Sequence, residues 1–379
     1  MKKACLSDIC SITMGQSPDS STYNDNGNGL PFFQGNADFG NRNPHVRVWC
    51  SEPKKIAHQD DILISVRAPI GALNIANQEC CIGRGLAALS VKTEYCLQEY
   101  LWYYLCNAVD ELNSKGTGST FKAINKNVLA ELSVRLFDLK VQQRIVLSLN
   151  KLTELINQSK RSISKLDELV KSRFVEMFGD PVYNPVEWDK LSLDEMCYSI
   201  VDCPHSTPKY TDEDTGYMCI RTSIVKKNEI LWDRIEYISE EEYKQRIKRK
   251  KPQKGDIIYT REGAILGIAA IIDREYDVAL GQRSMLLSPD TSKYKPEFIC
   301  YAMNFDSFSN KVIQGTSGSA SPHINVADIK GFKIISPPLK WQEQFADFVI
   351  QTDKSKLVVK KQIEKLETLK KSLMQEYFG

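Results

Sequence analysis

One stretch of the chain is written twice at an offset of 200 residues, and a duplication of that size restricts the fold to related domains rather than one continuous core. Lys165-Leu166-Asp167-Glu168-Leu169-Val170-Lys171-Ser172 leads to Glu176-Met177-Phe178-Gly179, and Lys365-Leu366-Glu367-Thr368-Leu369-Lys370-Lys371-Ser372 leads to Glu376-Tyr377-Phe378-Gly379. Comparing 165–179 with 365–379 gives 8 identities in 15 positions, where average residue usage predicts about one. Upstream at the same offset, Leu139-Lys140-Val141-Gln142-Gln143 faces Leu339-Lys340-Trp341-Gln342-Glu343, and Ile124-Asn125 faces Ile324-Asn325. Only scattered pieces correspond further away: Asp61-Ile62-Leu63 with Asp256-Ile257-Ile258, and Ile82-Gly83-Arg84 with Leu280-Gly281-Gln282-Arg283. Each half therefore holds a variable module followed by a constant one. The period is too long for a solenoid, whose repeats run about 20 to 50 residues.

The constant segments read as long helices. From Val141 to Phe178 there is neither Gly nor Pro, and Leu149, Leu152, Ile156, Ile163, Leu166 and Val170 fall at heptad spacing, with Ser159 and Arg173 interrupting the seam. The second copy carries Val349, Val359, Ile363, Leu366 and Leu373, broken by Lys356 and Lys370. Each stripe alone is under-buried, and a helix in water gains most of its stability from a covered face, so the two stripes are expected to pack on each other. Two core helices of an ordinary bundle are the alternative. Gly179 followed by Pro181 supplies the first stop signal. At 1.5 Å per residue, such helices are rods of roughly 57 Å.

The variable segments carry short strand-like runs, such as Leu30–Phe33, Asp61–Val66, Asp256–Thr260 and Ile268–Ile272, with helical patterns at Gln98–Leu105 and Lys295–Met303. Each module is expected to be α+β. Their loops are polar and basic. Gln34, Asn36, Arg67, Arg84, Lys115, Thr117, Ser119 and Lys122 stand out in the first; Arg221, Thr222, Arg261, Gln282, Arg283, Ser317, Ser319 and His323 stand out in the second. Gly, Ser and Thr let backbone amides approach phosphates, while Arg, Gln and Asn carry the donor and acceptor pairs that distinguish bases in the major groove. Singly, each is equally a turn or surface residue; recurrence at matching points of two modules favours nucleic acid. The basic run Lys244–Lys254, with Lys248 and Arg249 at its centre, reads as a phosphate contact or as a solvated face.

Bulk properties exclude several classes. An apolar content of 42 % with 26 % charged residues is that of a globular protein. With no run of about 18 apolar residues and an acid at Asp8, neither a membrane span nor a signal peptide is expected, and the location is read as cytoplasmic. The 11 cysteines form no C-x-x-C, and the four histidines, His45, His58, His205 and His323, share no ligand spacing, so neither a metal site nor a disulfide framework is expected. Dinucleotide and phosphate-loop signatures are missing, and so is the Pro-Pro-aromatic grip of an adenine methyltransferase. Catalysis is not expected; Cys203 with His205 is the one imaginable nucleophilic pair.

A mixed domain, a long helix, an unlike mixed domain and a second, similar helix resemble the DNA-specificity (S) subunit of Type I restriction-modification enzymes over essentially the whole chain. Leu30-Pro31-Phe32-Phe33-Gln34-Gly35-Asn36-Ala37-Asp38-Phe39 and Val201-Asp202-Cys203-Pro204-His205-Ser206-Thr207-Pro208 look like frequent openings of target-recognition domains. The Phe-Gly ending of each long helix and Gly255-Asp256-Ile257 are similar too; the first half departs with Asp60-Asp61-Ile62. The resemblance implies an α+β fold: two mixed target-recognition domains at 1–138 and 181–338, with long helices at 139–180 and 339–379 forming an antiparallel coiled-coil pair with a pseudo-two-fold internal repeat. It further implies a non-catalytic reader of double-stranded DNA working with two methylation (M) subunits and with restriction (R) subunits. No cofactor is expected on this chain; S-adenosylmethionine, ATP and Mg are expected on those partners. The competing reading is a coiled-coil adaptor that does not bind specific DNA.

Overall fold

A computed structural model describes residues 2–118, 122–263, 265–315 and 323–379. It resolves two compact units, Met1–Arg161 with Lys360–Gly379, and Ser162–Val359, so the division cuts both long helices near their middles.

In the first unit, a four-stranded antiparallel sheet runs in the order Cys10–Met14, Leu86–Val91, Ile62–Ser65, Leu73–Ile75. Its central strands are apolar on both faces because both faces are covered. Side chains alternate across a strand. Ile62, Ile64, Ala87 and Leu89 enter one core with Tyr100, Leu101 and Leu105 of the helix Gln98–Asn107, whereas Leu63, Leu86 and Ala88 enter another with Phe33 and Ile82. That second core is backed by a five-stranded sheet in which Leu30–Phe33 lies parallel to Cys80–Ile82. Cys80 and Cys81 are wholly buried there, and burial lifts their thiols to about 12 and about 11.

The second unit repeats this plan. Its sheet order is Cys197–Asp202, Ser284–Pro289, Ile257–Thr260, Ala269–Ile271. Ile257, Tyr259, Met285 and Leu287 face the core shared with the helix Pro296–Asn304, while Ile258 and Leu286 face the other. Met218–Ile220 lies parallel to Val278–Leu280, as in the first unit, but the strands around this pair are differently built. Most of the divergence lies in the segments feeding that second layer, although Cys197–Asp202 also carries an irregularity between Cys197 and Ser199 that Cys10–Met14 lacks.

The constant segments are helices of 40 residues each, Leu139–Phe178 and Leu339–Phe378. Gly179 takes φ +74° and its N–H donates to the Val175 carbonyl, which closes the first helix. Within each unit the start of one long helix runs antiparallel to the end of the other. Lys160 pairs with Glu367 at 2.8 Å in the first unit, and Lys356 with Asp167 at 2.6 Å in the second. At each helix start a buried glutamine ties helix to domain. Gln142 accepts from Leu97 N–H and donates to the Tyr95 and Phe137 carbonyls; Gln342 accepts from Lys295 N–H and donates to the Pro337 carbonyl.

Of the seam read from heptad spacing, Leu149, Leu152, Ile156, Val170, Val349 and Ile363 are buried, and Ile163, Leu166, Val359, Leu366 and Leu373 are half-buried. Of the heaviest anchors, Phe174 and Phe178 lie off that line, while Phe345 continues it four residues before Val349. Phe174, Phe178 and Phe345 are fully buried, with Phe174 centroids 5.1 Å from Phe178, 5.8 Å from Phe298 and 5.4 Å from Phe345. Near the domains a helix is covered by more than its partner, so its apolar face broadens beyond the a and d positions.

Replacing Phe174 with Ala is expected to destabilise the second unit by about 3–5 kcal/mol, since it removes an aromatic side chain from a closed core. Leu169→Ala, at a residue 49 % exposed, is expected to stay within about 0.5 kcal/mol. Chemical denaturation of the two variants side by side makes the comparison; equal midpoints would remove the anchoring role.

Candidate nucleic-acid interface

Backbone hydrogen bonds gather the polar loops of the first unit at one end of its sheets. Gly83 N–H donates to the Phe33 carbonyl, Gly85 N–H to Gln34, Val66 N–H to Gly85 and Ile124 N–H to Val66, at 2.8, 3.2, 2.9 and 2.9 Å. The loops bearing Gln34, Arg84, Arg67 and Lys122 are thus laced side by side. The approach at Gly83 is so close that a Cβ there would meet Gln34 Oε1 at 2.5 Å. Ser17 Oγ donates to Gln34 Oε1 and accepts from Arg84 N–H, fixing the amide at the edge of the cluster. Gln34, Arg67, Arg84 and Lys122 are exposed. Thr117 and Ala123 exchange backbone hydrogen bonds beside Arg67, while Asn36 is half-buried in the short turn Asn36–Asp38. Lys115 is exposed but already paired with Glu111 at 2.6 Å.

The second unit repeats three of these four bonds. Gly281 N–H donates to the Ile220 carbonyl, Arg261 N–H to Arg283 and Ile324 N–H to Arg261, at 2.9, 3.0 and 2.9 Å. Position by position, Arg221 stands where Gln34 stands, Gln282 where Arg84 does, Arg283 where Gly85 does, and Arg261 where the buried Val66 does. Glu262, bridged to His323, takes the place of Arg67, bridged to Ala123. The sequence reading did not single out Glu262, because an isolated acid in a basic loop carries no signal until the frame aligns it.

That alignment corrects one expectation. Arg261 is 7 % exposed; its guanidinium lies against Asp202 at 3.1 Å and Glu262 at 2.9 Å and donates to the Ile324 carbonyl. It is a structural brace and not a base reader, since a buried cation must be paired where it stands. Arg221 donates through Nη1 to both oxygens of Glu236 and lies 4.5 Å from the Tyr210 ring centroid; the Glu236 hydrogen bond raises its pKa. Thr222 begins a short turn below it, and Gln282 Nε2 donates to Thr207 Oγ1 at 2.7 Å. Ser119, Ser317 and Ser319 lie outside the described residues.

The basic run is also largely structural. Lys244 pairs with Glu240, Arg246 with Glu242, Lys250 with Asp256 and Lys251 with Asp277, at 2.6, 2.8, 3.5 and 2.6 Å. Arg246 also donates to the Leu280 and Ser206 carbonyls. Two of these acids, Asp256 and Asp277, follow the run in sequence and meet it only after folding. Arg249 donates to the Asp202 carbonyl but is exposed, as is Lys248.

Cys203 and His205 do not form a nucleophile and base. His205 Nε2 is 3.1 Å from Asp202 Oδ2, while buried Cys203 Sγ accepts from Ser284 N–H, and burial raises its pKa, the reverse of an activated thiolate. Among the described residues no group of three or more His, Cys, Asp or Glu could hold a metal ion. No helix among them is long and apolar enough to cross a membrane. What the two ends offer chemically is exposed guanidinium, ammonium and amide donors on loops held by strand ends, which suits phosphate oxygens and base edges.

The family model described as Type I restriction modification DNA specificity domain matches residues 1–167 and again 185–368. The type I restriction enzyme MjaVIII specificity subunit of Methanocaldococcus jannaschii is 21 % identical over 337 residues, covering 84 % of this chain and 78 % of that protein. The HsdS subunit from Thermoanaerobacter tengcongensis, a solved structure, is 46 % identical over a stretch covering 42 % of this chain and only 39 % of its own, with a TM-score of 0.39. The S subunit of the Type I restriction-modification system from M. genitalium, at 13 % identity, shares the fold over 100 % of this chain and 96 % of its own, with a TM-score of 0.59. With two matches that together take in most of its length, the chain belongs to the family of Type I restriction modification DNA specificity domains.

Proposed function

We propose that the chain is the non-catalytic DNA-reading subunit of a Type I restriction-modification complex, in which each unit reads one half of a bipartite, asymmetric site in double-stranded DNA. One observation carries the reading: the two units share three cross-loop hydrogen bonds and a bridge at matching positions and fill that frame with different side chains, Gln34, Arg84 and Arg67 against Arg221, Gln282 and Glu262. One frame with two fillings suits two unlike half-sites. Between the two half-sites lies a stretch that neither unit reads. Methylation subunits carrying S-adenosylmethionine and restriction subunits using ATP and Mg supply the chemistry, and the work is done in the cytoplasm.

The defining experiment maps N6-methyladenine across the host genome with and without this gene. A split, non-palindromic motif that vanishes on deletion is expected; a contiguous motif, or no change, overturns the reading.

Two further outcomes separate readers from braces. Arg261→Ala strips a buried ion pair of its cation and is expected to destabilise the second unit by about 3 kcal/mol. Arg67→Ala, at an exposed residue, is expected to leave stability within about 0.5 kcal/mol while weakening DNA retention; the opposite ranking in thermal melts would reverse the assignment. Replacing Lys248 and Arg249 together by Ala is expected to weaken binding to all sequences alike and to flatten the slope of log affinity against log salt by about one per lost phosphate contact. Unchanged affinity at every salt concentration would make them a solvated face.

A further inference from the structure

One short turn occupies the same place in both units. Gly83-Arg84-Gly85 and Gly281-Gln282-Arg283 each follow the strand that lies parallel to its neighbour, Cys80–Ile82 in one case and Val278–Leu280 in the other. Each leads directly into a central strand of the four-stranded sheet, Leu86–Val91 or Ser284–Pro289. Both glycines are needed for close approach, since a Cβ on Gly281 would meet Tyr210 Oη at 2.7 Å and the Ile220 carbonyl at 3.0 Å, as one on Gly83 would meet Gln34. The turn is therefore pinned on both sides, and the residue between its flanks stands at a fixed point of a rigid frame. Arg84 is exposed there; Gln282 is half-buried, its amide oriented by Thr207.

The next residue adds an independent observation. Arg283 has φ +70°, a left-handed conformation that L side chains rarely adopt, whereas Gly85 at the corresponding position of the first unit is not left-handed. Its guanidinium Nη1 lies 3.4 Å from where a Cβ on Gly263 would be, so it rests on a second residue that has no side chain. A long exposed cation held at a strained backbone position is costly to the fold, and such residues cluster at functional sites.

We propose that this turn is the base-reading element of each unit. Arg84 addresses guanine in the half-site of the first unit, Gln282 addresses adenine in that of the second, and Arg283 supports Gln282 against the same groove. Arginine reaches guanine O6 and N7 with two parallel donors, whereas glutamine pairs one donor and one acceptor with adenine N6 and N7. The inference rests on the DNA-reading function proposed above.

The test uses the full chain together with its methylation subunits and maps N6-methyladenine for Arg84→Gln, Gln282→Arg and Arg283→Gly. Arg84→Gln is expected to move the preference at one position of one half-site from G·C toward A·T, with about a tenfold or larger change in discrimination, leaving the other half untouched. Gln282→Arg is expected to do the reverse in the other half. Arg283→Gly is expected to melt no lower than the parent while binding its target more weakly. Motifs unchanged by both exchanges, with methylation intact, overturn the inference and leave the proposed function standing; so does a uniform loss of binding with an unshifted motif, which would make these residues phosphate contacts. A parent complex that marks no split motif removes the function and the inference together.

Discussion

The burial of the long helices' ends inside the mixed domains is the contact on which the rest depends. Each 40-residue helix, its seam interrupted by Ser159 and Arg173 in the first and by Lys356 and Lys370 in the second, has too little apolar face to stand by itself. Phe174 and Phe178 join the core of the second unit together with Phe345, and Met374 and Phe378 join that of the first. Each unit is thus completed by the end of a helix whose start belongs to the other, and the first unit is assembled from two separate pieces of chain. The buried Gln142 and Gln342 then fix how each helix start meets its own domain, since their amides are satisfied only by backbone groups of that domain.

Holding the sheet from both sides has a consequence for the loops. Central strands such as Ile62–Ser65 and Ile257–Thr260 are buried along their whole length, with alternate residues committed to different cores. A one-residue slip would exchange the two sets, so register is strongly specified. Loops leaving such strands inherit fixed starting points, and the cross-loop hydrogen bonds tie them to each other. Side chains there can change while most of the cross-loop hydrogen bonds keep their pattern, which is why Arg67 and Glu262, or Arg84 and Gln282, can stand at equivalent points.

Much of this was legible in the sequence because it is periodic or local. The offset of 200 residues, the strands at Leu30–Phe33 and Ile62–Ser65, the helices beginning near Gln98 and Pro296 and the Gly179 stop all follow from spacing and turn chemistry. The illegible part is non-local. Phe174 looks like a residue beside the seam until Phe298 and Phe345 close over it, and Arg261 looks like a loop cation until Asp202, 59 residues earlier, meets it. The order of strands in the second layer was equally hidden, since runs as short as Cys80–Ile82 carry no pairing information of their own.

The same non-local pairing decides what net charge means here. A formal charge of +2 gives no basis for expecting tight binding to phosphates, and in the sequence the run Lys244–Lys254 stands as compensation for it. Once Lys244, Arg246, Lys250 and Lys251 are seen to be matched with acids of their own unit, that run loses most of its capacity to displace counterions from DNA. The cations left facing outward from the loop frames are Arg67, Arg84, Lys122 and Arg283, with Lys248 and Arg249 beside them. Few in number and set among amides and backbone turns, they suit a reader whose affinity comes more from groove geometry than from bulk attraction, and whose discrimination depends on which side chain the frame presents.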